Sequence, residues 1–373
     1  MALGPLWQGR ILRACLSDPT GESARALARS APKGLLDSLP ALASFHRVVA
    51  PMYASVRGVV PDDVRVQLER LYRDESARRL IALANLERSQ KLLQGLAIPF
   101  LVVKGPVLSD VIYAQPRMRF YRDLDLVVPR GSFAIALAAL EEEGATVVDA
   151  NWPYFLEHVA GQLDLSTNVD LHWHFLYFEW LRETTNVSME DVFERARSVT
   201  VEGVPLRTPD AADTLIHLAV HACLAGGGRL VWMKDIEQSV VNDAPSWDEV
   251  VTRAVDWRVN LVVGTMLLRS RRLLSTPVPD EVVKELVPST AWRAVLGSLD
   301  NAFPITAWTR RETPATRLAE ATHRDVRGTL RFLGAAAGRR VGKLFSRSDQ
   351  HGTAASSDDH VRAAYLERVA SES

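Results

Sequence analysis

Residues 168–175, Asn-Val-Asp-Leu-His-Trp-His-Phe, alternate polar and apolar side chains without a break. Successive side chains of a β-strand point to opposite faces, so Val169, Leu171, Trp173 and Phe175 share one face and Asp170, His172 and His174 the other. A chain with this segment has to build a sheet with one buried face and one face given to solvent or to a site. Short runs able to pair with it are Pro-Phe-Leu-Val-Val at 99–103, Asp-Leu-Asp-Leu-Val-Val-Pro at 123–129 and Ala-Thr-Val-Val-Asp-Ala at 145–150, with a weaker candidate at 155–165.

Helical periodicity surrounds these strands. Leu80, Leu83, Leu86, Leu93 and Leu96 recur near the helical period, which predicts an amphipathic packing helix. Gly105-Pro106 predicts a helix start, because proline is tolerated where its missing N–H is not needed; Val107, Leu108, Val111 and Ile112 then line one face. Phe133, Leu137 and Leu140 mark a further helix, capped by Gly144. From Pro209 to Phe345 the pattern is helical again. The segment 213–224 is apolar nearly all round, and Trp232, Ile236 and Val240 form a stripe. The polar, small-residue stretch after Ser346 cannot bury enough surface to offset its ordering entropy, and disorder is expected there. The organisation expected is a helical segment over 1–97, a sheet-containing core over 98–205, a helical domain over 206–345 and a flexible tail over 346–373.

Composition narrows the function classes. Among 373 residues, 44 Lys and Arg nearly cancel 45 Asp and Glu, so no global field favours a large nucleic-acid footprint or a membrane surface. Cys15 and Cys223 match neither a metal spacing nor a disulfide framework. With no apolar run long enough to span a bilayer and no secretory leader, a cytoplasmic location is expected.

The candidate chemistry lies in 102–129. Asp123 and Asp125, two apart on a strand, project from one face about 7 Å apart. Two like charges so placed are unfavourable unless a cation joins them, and oxygen ligands of this kind suit Mg²⁺ held jointly with phosphates. Asp170, on its own polar strand face, completes a three-carboxylate set able to hold a second ion. Lys104-Gly105 at a strand-to-helix turn offers close approach to a phosphate. Arg117, Arg119 and Arg122 stand between the turn and the acids as further phosphate contacts. His172 is a candidate for substrate contact. His174 is read as lining the sheet face, and His217 and His221 as packed or cleft-lining residues rather than zinc ligands. The basic segment with Arg327, Arg331, Arg339, Arg340 and Lys343 reads as a solvated terminal helix, with an anionic surface as its sharper alternative.

The run 101–128, followed by 168–175 and 215–240, resembles a bacterial family of uncharacterised nucleotidyltransferases within the DNA polymerase β-like superfamily. That resemblance implies an α+β fold: a small mixed sheet with helices, flanked by N- and C-terminal helical segments. It also implies that Gly105 is the turn glycine, Asp123 and Asp125 the Asp-x-Asp pair and Asp170 the third acid. The activity implied is Mg²⁺-dependent transfer of a nucleoside monophosphate from an NTP such as ATP to a hydroxyl on a small molecule, peptide, protein or tRNA. The chain departs from the pattern at Pro106, where the superfamily usually has serine or threonine, so Lys104 and the arginines must carry more of the phosphate binding. The competing expectation is a catalytically degenerate protein of the same fold that binds a nucleotide or partner without chemistry.

Overall fold

The computed structural model describes residues 4–32, 34–147, 158–163, 167–176, 179–307, 313, 314, 316 and 359–371. Its centre is a five-stranded mixed sheet of β1 (Leu101–Val103), β2 (Asp123–Val127), β3 (Thr146–Val147), β4 (His158–Leu163) and β5 (Thr167–His172), in the order β1-β2-β5-β4-β3. β2 and β5 run parallel, and the other neighbours are antiparallel. A parallel pair needs a crossover connection, and the Phe133–Glu142 helix within it buries Phe133, Ala136, Leu137 and Leu140. This is the α+β class expected, a small sheet flanked by helical segments.

A second, two-stranded ladder pairs β6 (Arg197–Val201) with β7 (Val204–Thr208). Its two loop residues, Glu202 and Gly203, both have positive φ, the signature of a tight turn that matches strand twist. No hairpin was expected here, because Glu-Gly is a weaker turn signal than Asn-Gly.

Two helical expectations need correction. The helix Asp62–Gly95 runs for 34 residues and buries Leu86 and Leu93, but Leu80 is 64% exposed and Leu96 is exposed as well. Its inner face instead carries Glu75, Arg79, Asn85, Ser89 and Gln90. Part of the reason is ionic: Arg79 donates to Asp110 at 2.6 Å and to Glu202 at 2.8 Å, so burying it is compensated by charged partners on the core. After β1, only Gly105–Val107 is α-helical before the chain widens into a π-turn over Leu108–Ile112. That change of phase leaves Val111 exposed while Val107, Leu108 and Ile112 stay buried.

The segment expected as a tail is corrected for its last part. A helix at Asp359–Ser371 buries Tyr365 and Val369. The Trp173 indole N–H donates to the Tyr365 hydroxyl at 3.1 Å, and Arg130 Nε donates to the Val369 carbonyl at 2.7 Å. Residues 347–358 and the basic segment from Arg327 to Lys343 lie outside the described residues. Among the described residues, no helix is long and apolar enough to cross a membrane.

The helices beyond β7 bury Ala211–Leu224 on nearly every side, as its all-round apolar sequence requires. The helix Leu230–Gln238 buries Trp232 and Ile236, and Val240 just beyond it is buried too, as expected of that stripe. The same helix also buries Asp235. That carboxylate accepts from Tyr113 Oη at 2.7 Å and from Arg119 Nε and Nη2 at 3.2 and 3.0 Å, tying the helix to the loop before β2. Removing one partner of such a pair strands the other charge in the interior. Asp235→Ala is therefore expected to lower stability by about 3–5 kcal/mol, and Tyr113→Phe by only about 1 kcal/mol. Urea unfolding of both variants checks this, and equal losses would refute the ranking.

Candidate active site

β2 and β5 place their acids side by side. Asp125 is the register partner of Asp170, Asp123 that of Asn168 and Val127 that of His172, so Asp125 and Asp170 lie abreast on neighbouring parallel strands. Strand alternation keeps Leu124 and Leu126 in the core on the opposite face, both fully buried. Ligand atoms of Asp125, Asp170 and His172 all lie within 4.8 Å of one another.

Lys104, just beyond β1, ion-pairs with Asp125 Oδ1, and His172 Nε2 lies 3.4 Å from the same oxygen. Lys104 takes φ 55° and ψ −133°, a conformation that non-glycine residues rarely adopt. Gly105 follows at φ 26°, and a Cβ there would stand 3.4 Å from the Asp123 carbonyl oxygen and 3.6 Å from the Tyr121 ring. The Cβ would be in ordinary contact, so it is the backbone angle that calls for glycine at this turn.

The electrostatics are uneven across the pair. Burial alone would raise the Asp125 carboxyl, but Lys104, with help from His172, holds it well below the usual carboxylate range. Asp170 goes the other way: burial, then the charges of Asp125 and Asp123, push it up to about 8. Burial lowers His172 despite Asp125 beside it, which favours the neutral imidazole.

Other expected residues fall in different places. Arg119 is corrected as a phosphate contact: it is buried and its guanidinium is committed to Asp235. Arg122 Nε donates to Glu75 at 3.2 Å, although the Arg122 side chain keeps 37% exposure. His174 has left the sheet face: its Nδ1 accepts from the Leu176 N–H at 2.9 Å and its Nε2 lies 3.3 Å from the Val187 carbonyl, which makes it a loop brace.

His217 stacks on Phe175, ring centroids 4.3 Å apart, and lies near enough to feel Lys104, Asp125 and His172. Burial, then Lys104, lower its pKa to about 3, and neither ring nitrogen has a hydrogen-bond partner among the described residues. The sequence reading missed Glu75 and Asp235, whose only signal was charge at the helical period within apolar stripes.

Residues 35–275, well over half of the chain, match the model of a family described as uncharacterised nucleotidyltransferase, and the chain belongs to that family. No curated protein matches it. Among solved structures it is similar to the antibiotic-resistance factor ANT(2'')-Ia, at 17% identity and a TM-score of 0.29, over 60% of this chain and 96% of that one. It is also similar to an antigenic nucleotidyltransferase-like protein from Paracoccidioides brasiliensis, at 14% identity and a TM-score of 0.34, over 56% of this chain and 95% of that one.

The Asp170 shift predicts a pH dependence. The folded chain holds this proton more tightly than the unfolded chain, so native protein carries the extra proton between about pH 4 and pH 8. Stability is thus lost as pH rises through that window, with a slope of up to about 1.4 kcal/mol per pH unit from this group. Asp125 acts in the opposite sense and only at lower pH, since its depressed carboxyl costs stability as acid protonates it. In EDTA, urea unfolding between pH 5 and pH 8.5 should show a shallower decline for Asp170→Asn than for the parent. Parallel slopes would contradict the assignment.

Proposed function

We propose that the chain is a metal-dependent nucleotidyltransferase that moves a nucleoside monophosphate from an NTP, with ATP the first choice, to a hydroxyl acceptor. The observation that carries this reading is the register match of Asp125 with Asp170, with Asp123 on the same strand as Asp125 and Lys104 at the adjoining turn. A surface acid pair needs no such neighbours. A buried like-charge pair beside a strained lysine turn is built for a cation and phosphate.

The donor set fits a hard divalent ion. Two carboxylates and a neutral imidazole converge, and burial, then the charges of Asp125 and Asp123, raise the proton affinity of Asp170 against the opposing charge of Lys104. Asp123, Asp125 and Asp170 would hold Mg²⁺, two ions in our reading, with His172 beside them. Bound there, Mg²⁺ supplies charge that offsets the developing negative charge of an in-line phosphoryl displacement.

In the reaction, the acceptor oxygen forms a bond to the α-phosphorus of the NTP. The bond from that phosphorus to the bridging oxygen breaks, and pyrophosphate leaves with the electron pair. Asp170, as carboxylate, takes the acceptor's proton, a role suited to a carboxyl with proton affinity near neutrality. Lys104, Gly105 and the half-exposed Arg122 contact the phosphates, while Arg119 acts by fixing the loop that carries them. A second reading, nucleotide binding without transfer, draws on the Lys104 ammonium already seated on Asp125 and on Pro106.

Incubation with each α-labelled NTP, Mg²⁺ or EDTA, and cell extract split into small-molecule, RNA and protein fractions tests the proposal. Label should appear in one fraction, require Mg²⁺, and fall roughly a thousandfold or more in a folded Asp123→Ala variant. Undiminished transfer by that variant would remove the assignment. NTP affinity indifferent to Mg²⁺, together with no transfer, would favour the binder.

A further inference from the structure

The pairing of β5 stops at the site. His172 is its last paired residue, with Val127 on one side and His158 on the other, and the Val128 N–H donates to its carbonyl at 2.9 Å. Strand ends are where a sheet opens most readily. Yet His172 Nε2 stands 3.4 Å from Asp125 Oδ1, so this end has to be held.

The next residue supplies the hold. Trp173 is buried, and its indole N–H donates to the Tyr365 hydroxyl of the helix Asp359–Ser371 at 3.1 Å. Arg130, from the turn after β2, and Arg182, from the short helix after β5, stand over the Trp173 ring at 4.5 and 4.6 Å from its centroid. Arg130 also donates to the last turn of the Asp359–Ser371 helix, from Nε to the Val369 carbonyl at 2.7 Å and from Nη2 to the Arg368 carbonyl at 3.5 Å. A cation there meets the negative end of the helix dipole. Tyr365 meets Phe133 of the crossover helix edge-on, with ring centroids 6.4 Å apart. One helix thus touches the end of β5 and the connection that joins it to β2.

We infer that Trp173 and Tyr365 are positioning residues, through which the docked Asp359–Ser371 helix sets His172 against Asp125. Successive side chains of a strand point to opposite faces, so a shift of Trp173 along or about the strand carries His172 with it. Fixing the buried neighbour fixes the one in the site. A metal site needs its groups placed to about 0.5 Å, which an unanchored strand end does not provide. The inference rests on the nucleotidyltransferase reading and adds to it a dependence of the metal site on a helix remote in sequence. Among the described side chains of that helix only Tyr365 and Val369 are fully buried, so its docking is separable from the rest of the fold.

The test uses the full chain and two variants. Tyr365→Phe removes the hydroxyl alone, and Val369→Asp puts a carboxylate into the buried contact of the helix. Electron paramagnetic resonance of added Mn²⁺ reads the metal site, and amide hydrogen exchange reads the strand. Mn²⁺ affinity should fall by about tenfold or more in Val369→Asp and by about threefold in Tyr365→Phe. Amides of 173–176 should exchange faster in Val369→Asp, while those of Leu124 and Leu126 keep their protection. Parental Mn²⁺ affinity in Val369→Asp, unchanged exchange at 173–176, or a loss of protection spread equally over β2 would each overturn the inference, the last because it marks general destabilisation. Loss of the underlying reading looks different: the parent chain would bind no Mn²⁺, and exchange at 173–176 would still decide whether the helix holds the end of β5.

Discussion

Two carboxylates abreast on parallel strands, Asp125 and Asp170, set the terms for everything around them. Left alone in a low-dielectric interior, one of the two would hold its proton more tightly, and burial with the charges of Asp125 and Asp123 raises Asp170 in that sense. Lys104 secures the ionised state of the other, and to reach it the chain accepts an uncommon backbone angle at the end of β1. Strain of this kind costs on the order of 1–3 kcal/mol, and an ion pair shielded from water can offset it where a surface pair, worth at most about 1 kcal/mol, cannot. Gly105 then follows at φ 26°, a backbone angle that side-chain-bearing residues rarely adopt.

The helical flanks hold this arrangement through ions rather than through apolar contact alone. Glu75 on the long helix takes Arg122, Arg79 takes Asp110, and Asp235 takes Arg119 together with Tyr113. Each strut reaches the stretch 105–122, the loop and turn that join Lys104 to the Asp-x-Asp strand. Buried pairs of this type add little net stability over an apolar packing of the same shape, but they tolerate only one geometry. They are suited to holding a loop whose position matters more than its stability.

Legibility in the sequence followed periodicity. The alternation at 168–175 identified β5 and its polar face, and Asp-Leu-Asp-Leu identified β2, because a period of two has no competing explanation at that length. What no period encodes is which strands pair. The parallel match of β2 with β5, and with it the contact of Asp125 and Asp170, comes from the crossover helix and the core. Arg119 was misassigned for a related reason: it sits near the acids in sequence, but the carboxylate it meets lies 116 positions away. The Asp359–Ser371 helix escaped notice because the polar stretch before it masked two buried residues, Tyr365 and Val369, that dock it.

Pro106 bears on how such a site handles phosphate. A serine or threonine there would add a hydroxyl, and any other residue an N–H; proline removes both, a loss of about 1.5–3 kcal/mol per hydrogen bond to a charged partner. In the proposed function the neighbourhood would compensate in charge rather than in hydrogen-bond count, since Lys104 stands one residue before the turn glycine and Arg122 one residue before Asp123. A point charge is less demanding of angle than a backbone N–H, and under the proposed function it would serve the metal site and the phosphate with the same side chain. Lys104 on Asp125 is then one arrangement of a shared cation. In the proposed reaction, phosphate and metal together divide between them what the ammonium and the carboxylate offer each other here.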